Sequence, residues 1–201
     1  MKRSFLLVTL ALALGAVALA QEQKSSIAAF GGKPDERGST RLLFVDSGRR
    51  AILGEFAINY GRPAWKKEYE DAAAFDKITK GKTWRMGDNF WTVLDTNLPL
   101  KIAGKDIAPG MWYLGLHRSE DGSQWSLAFI DPAKARAAKV DPFQIGNAPI
   151  DFKVPVTVEK PAEVNNRLTI MLTYPKENPA NVTMKVAWGT LQVSVPIQVS
   201  L

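Results

Sequence analysis

The residues of this chain best equipped for chemistry stand together in Trp84-Arg85-Met86-Gly87-Asp88-Asn89-Phe90-Trp91-Thr92, with Tyr60-Gly61-Arg62-Pro63 upstream. No other stretch brings so many charged, amide and aromatic groups beside glycine and proline. An arginine presents a planar fork that suits a carboxylate, sulfate or phosphate on a ligand. Trp65, Trp84, Trp91 and Trp112 offer flat apolar platforms of the kind on which sugar rings stack. The same residue types also build a structural clamp, with arginine donating to backbone carbonyls where strands cross and tryptophan filling the core. Both readings place Arg62, Trp84, Arg85, Asp88, Asn89 and Trp91 at the candidate site, and spacing alone leaves both open. The binding reading expects a glycan, an anionic small molecule or another envelope protein as partner.

A catalytic reading needs a partner for Asp88. Glycosidases hold two carboxyl groups about 5–9 Å apart. Asp88 and Asp95 are separated by an odd number of positions, which on a strand puts them on opposite faces unless a bulge intervenes. Glu120 and Asp121 are further carboxylates whose distance from Asp88 the sequence leaves open. His117 is the only histidine, at the end of an expected strand beside Arg118. A histidine-based metal site normally draws on two or more such ligands. A serine triad would want a Gly-x-Ser-x-Gly elbow, and the chain has none. Gly81-Lys82-Thr83 resembles the end of a phosphate loop, but Asp76 stands where that loop needs glycine, and the strand–loop–helix order is reversed. Asn181-Val182-Thr183 fits a glycosylation acceptor, which matters only in a eukaryotic secretory pathway. The expectation is therefore no catalytic residue, no metal and no cofactor. A carbohydrate-active hydrolase using Asp88, or a purely structural or assembly module, stands as the alternative.

Composition narrows the setting. Met1-Lys2-Arg3 and the apolar run 5–20, ending in Ala18-Leu19-Ala20 before Gln21-Glu22-Gln23, read as a signal peptide cleaved after Ala20. The run is short for a membrane-spanning helix, which needs about 20 apolar residues. The expected protein is exported, periplasmic or secreted, without a membrane span once the signal is gone. Removing Lys2 and Arg3 leaves 24 basic residues against 20 acidic ones, too small and scattered an excess for a nucleic-acid surface. The chain has no cysteine, which excludes disulfides, thiolate chemistry and cysteine–zinc sites. A chain of this length buries roughly 70% of its unfolded surface, enough for one domain.

Residues 21–40 are rich in glycine, serine and charge and are expected to be a flexible lead-in. From residue 41 to 201 short runs of period-two alternation follow, each bounded by turn residues. Phe56, Ile58 and Tyr60 share a face, as do Thr92 and Leu94. Residues 111–116 and 125–130 form an expected hairpin across Ser119-Glu120-Asp121-Gly122-Ser123. Further runs are Phe152-to-Val158, Leu168-to-Tyr174, Val182-to-Trp188 and Leu191-to-Val199, each with one dry face and one wet. Pro196 implies an edge or a bulge in the last of them. Residues 66–78 and 132–140 read as helices, the second capped by Asp131 with Pro132 at its first position. The expected fold is all-β, a single antiparallel sandwich of eight to ten strands with two short helical insertions.

At these residues the chain resembles the secreted bacterial family described as domain of unknown function 2911. Tyr60-Gly61-Arg62-Pro63 is similar to the family's Tyr-x-Arg-Pro element. Residues 84–92 resemble its Trp-Arg-x-Gly-Ala-Asn-Glu-Ala-Thr element, and Gly104 with Ile107-Ala108-Pro109-Gly110-Met111-Trp112 its Gly-x-x-Leu-x-Ala-Gly-x-Tyr run. Trp125-Ser126-Leu127 and the segment from Trp188 to Val195-Pro196-Ile197 resemble its later strands. The chain departs where Asp88 and Trp91 replace small residues, where Phe90 replaces a glutamate, and where Trp65-Lys66-Lys67 stands in place of Lys-Gly-Arg. The resemblance implies a β-rich fold and export. It implies no activity, cofactor or catalytic residue, and the missing glutamate removes any acid–base role that residue has in relatives.

Overall fold

A computed structural model describes residues 37–201. The expected signal peptide and residues 21–36 of the expected lead-in lie outside them. The strands alternate as the sequence indicates. One antiparallel sheet runs in the order β1 (Arg37–Asp46), β2 (Ala51–Gly61), β4 (Thr92–Thr96), β7 (Gly110–Arg118), β8 (Trp125–Ile130), β9 (Phe152–Pro155), with β3 (Thr83–Arg85) also on β7. The second runs β11 (Asn165–Thr173), β12 (Asn181–Gly189), β13 (Leu191–Val199), β5 (Leu100–Ile102), β6 (Lys105–Ile107), with β10 (Thr157–Glu159) also on β13. The inward set of the first sheet, among them Phe56, Ile58, Leu94, Leu114, Leu116 and Leu127, meets Leu168, Ile170, Met184, Val186, Val193 and Val195 of the second, all buried. Burial of each such side chain is worth about 1.5–3 kcal/mol, which makes this dry interface the main source of stability in a chain without disulfides.

Two helices decorate the sandwich. α1 (Ala72–Thr79) follows a 3-10 turn at Lys67–Glu70, and the Asp71 carboxylate caps it by accepting from Ala74 N at 2.7 Å. α2 (Pro132–Ala137) starts at the expected cap, where Asp131 accepts from Ala133 N. A second 3-10 segment, Pro142–Asn147, was not expected. With α2 and Trp91 it covers the outer face of the first sheet in a small second core of Ile130, Ala135 and Ile145.

Several expectations are corrected. The lead-in does not extend to residue 40, because Arg37 already opens β1 and pairs with Gly61. Thirteen strands replace eight to ten: β3, β5, β6 and β10 have three residues each, too few to show a period. The run from Phe152 to Val158 is two strands. β9 pairs with β8 in one sheet and β10 with β13 in the other, so the chain changes sheets at Val156 and leaves Val158 exposed. Pro196 lies neither on an edge nor in a bulge. It sits opposite Thr183 in an interior strand, where its carbonyl accepts from Ala103 N at 2.9 Å. Its missing N–H falls in the gap between the pairing of β13 with β5, at 197–199, and with β10, at 192–194.

The two sheets are stitched along one edge by the chain leaving β2. Tyr60 Oη accepts from Ile170 N at 2.9 Å, Arg62 Nε donates to Leu168 O at 3.3 Å, and Pro63 O accepts from Leu168 N at 3.1 Å. Trp65 N then donates to Asn166 O at 2.7 Å. These partners lie on the open side of β11, the edge strand of the second sheet, in and just past the stretch Asn165–Thr169 where its register against β12 slips, so the stitch satisfies main-chain groups that β12 does not use. The Trp65 ring stands perpendicular to Trp188 at 5.1 Å, close to Tyr69 and Phe75. It lies flat over Gly189, which has φ +59°, and a Cβ there would fall 1.9 Å from the ring. Gly189→Ala is therefore expected to cost about 2–4 kcal/mol through overpacking and a left-handed backbone. Urea unfolding checks this: an unchanged midpoint would show that the Trp65 ring yields freely.

Candidate functional site

The segment 84–92 is one strand interrupted by a loop. Thr83, Trp84 and Arg85 pair with His117, Leu116 and Gly115 of β7, and Thr92 resumes on the same edge opposite Leu114. Between them residues 86–91 leave the sheet. Met86 turns into the core, fully buried, and Thr92 Oγ1 donates back to its carbonyl. The excursion runs against the end of β2. A Cβ on Gly61 would lie 2.1 Å from Asp88 O, and one on Gly87 would lie 2.7 Å from Thr92 Oγ1. Only glycine admits two backbones this close, which explains both glycines without any ligand.

Two arginines hold the loop by its carbonyls. Arg85 Nη1 donates to Asn89 O at 2.9 Å, and Nη2 stands 3.6 Å from the Asp88 carboxylate. Its guanidinium stacks 4.2 Å above the Phe143 ring. Asp88 in turn accepts from Asn89 N at 2.8 Å, which steadies Asn89 at a left-handed φ of 60°. From the other side Arg37 of β1 donates to Asp88 O at 3.3 Å and Trp91 O at 2.9 Å. Arg37 was missed because it sits in a glycine-rich stretch, and its strand shows itself only further on, at Leu42 and Phe44.

The six candidate residues do not share a pocket. Pleat alternation sends Trp84, opposite Leu116, inward against Trp188 at 5.4 Å. Trp91 is on the outer face, stacked on Tyr113 at 4.5 Å with the rings nearly parallel. Arg62 reaches across to β11, while Arg85, Asp88 and Asn89 bond mainly to one another. Every polar or aromatic contact described above for these side chains is internal. Asp88 is held by arginine, and no second carboxylate or histidine bonds to it among the described residues.

His117, Arg118 and Asp121 are also engaged. His117 Nδ1 lies 2.9 Å from Thr83 Oγ1 on the outer face, and burial, then the charge of Lys153, pushes its pKa down. Arg118 donates to the Asp76 carboxylate at 2.6 Å and to Thr79 Oγ1, tying α1 to β7. Asp121 is pulled down to about 2 by the hydroxyls of Ser119 and Ser123, which order the β7–β8 turn. No cluster of three or more histidine or carboxylate groups suited to a metal occurs among the described residues.

Apart from the buried Nε1 atoms of Trp65 and Trp84, which find no hydrogen-bond partner, the least engaged polar groups lie elsewhere. On the outer face of the second sheet a cleft of about 490 Å³ opens between the β5–β6 turn and Pro175. Register places Asn181 of β12 opposite Gln198 of β13, and Gln198 opposite Lys101 of β5. Those three side chains form one row across three strands, at the strand spacing of about 4.8 Å. Thr183 and Pro196 make the next row. The sequence shows each as a wet-face residue but cannot show that they are neighbours.

Two outcomes test this arrangement. Arg85→Ala is expected to lower stability by about 1.5–3 kcal/mol and to speed amide exchange in residues 86–91, with Arg85→Lys restoring only part. Unaltered exchange would show that the clamp carries no weight. For His117 the folded-state pKa lies below the unfolded one, so the unfolded chain takes the proton first. Stability should therefore fall as pH drops through about 6.5, the ordinary histidine value, and His117→Gln should flatten that segment of the stability–pH curve.

A family model described as "Protein of unknown function (DUF2911)" matches residues 49–197. Comparison with curated proteins and with solved structures returns no match.

Proposed function

Because the chain belongs to the DUF2911 family, whose description names no activity, we propose from geometry that it is an exported, non-catalytic β-sandwich that binds an anionic glycan in the cleft of the second sheet. The row Asn181–Gln198–Lys101 carries this reading. The amides of Asn181 and Gln198 form no hydrogen bond with other described residues and face open solvent in a cleft of ligand size. Two amides offer donors and acceptors to hydroxyl groups, and the Lys101 ammonium offers charge to a carboxylate or sulfate. Lys101 does meet Asp106 at 3.5 Å, but both are largely exposed, and such a surface pair is worth little enough for a ligand anion to displace. Pro196 and Pro175 supply a rigid apolar floor and wall. The motif at 84–92 then serves as scaffold rather than as site.

An array of acidic and neutral glycans, followed by titration calorimetry on the best acidic hit, tests this. The Lys101→Ala, Gln198→Ala double variant alters exposed side chains and should bind about tenfold or more weakly, the equivalent of one charge-assisted hydrogen bond. Arg85→Ala, where it folds, should bind as the parent does. No acidic hit, or affinity that follows Arg85 and ignores Lys101 and Gln198, would sink the proposal.

A further inference from the structure

β1 ends the first sheet, and on its far side no described strand pairs with it. A groove of about 180 Å³ runs beside that free edge, walled by Leu43, Val45 and Leu53 of the β1–β2 hairpin and by Tyr174, Pro179 and Leu201 from the second sheet's end of the molecule. Leu43, Val45, Tyr174 and Leu201 are each about half exposed, and Ile52 beside them is 71% exposed. Apolar side chains gathered in this way on a surface mark an interaction site more often than chance scatter. The hairpin also carries Arg41, Arg49 and Arg50 against Asp46 and Glu55, the latter 3.8 Å from Arg41, while Arg37 at its start is committed to the 84–92 loop. Asp46 is already taken by Arg49 at 3.6 Å, and Arg50 pairs with no described residue.

We infer that this edge takes an extended peptide segment of a partner protein, one that alternates apolar side chains and carries aspartate or glutamate at its flanks. An added strand would satisfy the outward N–H and C=O groups of β1, while alternate side chains drop into the groove. The register slips between Phe44 and Val45, where β2 carries Leu53 as an extra residue, and beyond it only Val45 and Asp46 remain of β1. The excess of arginine selects acidic flanks. The site is separate from the glycan cleft and stands or falls without it.

The experiment pans a phage-displayed library of random ten-residue peptides on the full chain. Enrichment should favour alternating apolar sequences with acidic flanks. The best synthetic peptide should bind Val45→Glu and Arg41→Glu at least tenfold more weakly by fluorescence anisotropy. Both positions are exposed or ion-paired at the surface, so both variants should keep the parent's unfolding midpoint. Lack of enrichment, or affinity untouched by either change, overturns the inference. So would a dimer in solution that Val45→Glu dissolves, or Val45-dependent binding to phosphatidylglycerol vesicles in place of any peptide.

Discussion

The fold depends on a single seam, where the chain leaving β2 binds the bulged stretch of β11. Two sheets packed face to face bury their side chains but leave their edges open, and here main-chain groups close one edge. Tyr60, Arg62, Pro63 and Trp65 contribute one bond each or more to residues 166–170. The edge position of β11 makes this possible, since an edge strand turns alternate main-chain groups away from its one neighbour, and the slip at 165–169 leaves more of them unpaired. The same seam also seats Trp65 on Gly189, and Trp188 Nε1 donates to Pro63 O at 3.0 Å. Hydrogen bonds and aromatic packing thus fix the same few residues twice over.

The interrupted strand at 84–92 is a second consequence of close backbone contact. A loop that leaves a sheet carries carbonyls with no ladder partner, and buried carbonyls must find donors. Arg37 and Arg85 supply them, reaching three carbonyls of the loop from opposite sides. An arginine so used has few donors left for a ligand. Charge, glycine and aromatics at one place therefore need not mean chemistry, because a tight crossing of two backbones asks for the same residues. The capacity left over lies on smoother ground, in the row Asn181–Gln198–Lys101 and along the open edge of β1.

Trp84 and Trp91 show where local reasoning stops. Their odd spacing would put them on opposite faces of an unbroken strand, and they do lie on opposite faces. Trp84 packs on Trp188 and Trp91 on Tyr113. Yet the loop between them breaks the period, and only the rejoining of Thr92 opposite Leu114 sets the outcome. Arg37 illustrates the reverse case. Nothing near it in sequence marks it, and its importance comes from Gly61, its neighbour across the sheet.

By itself the sequence determined what depends on neighbours along the chain. It determined the all-β class, the dry face of each long strand, the helix caps at Asp131 and the turn at 119–123, and it carried the family's motif. Tertiary structure alone decided what depends on partners far along the chain. It split Phe152-to-Val158 between two sheets, made Pro196 tolerable inside one, and turned Arg62 and Arg85 toward carbonyls rather than solvent. It also lined up Asn181, Gln198 and Lys101. Alternation records which way a side chain faces, because the pleat repeats every two residues. It holds no record of register between distant strands, which is set by the packing of the whole core.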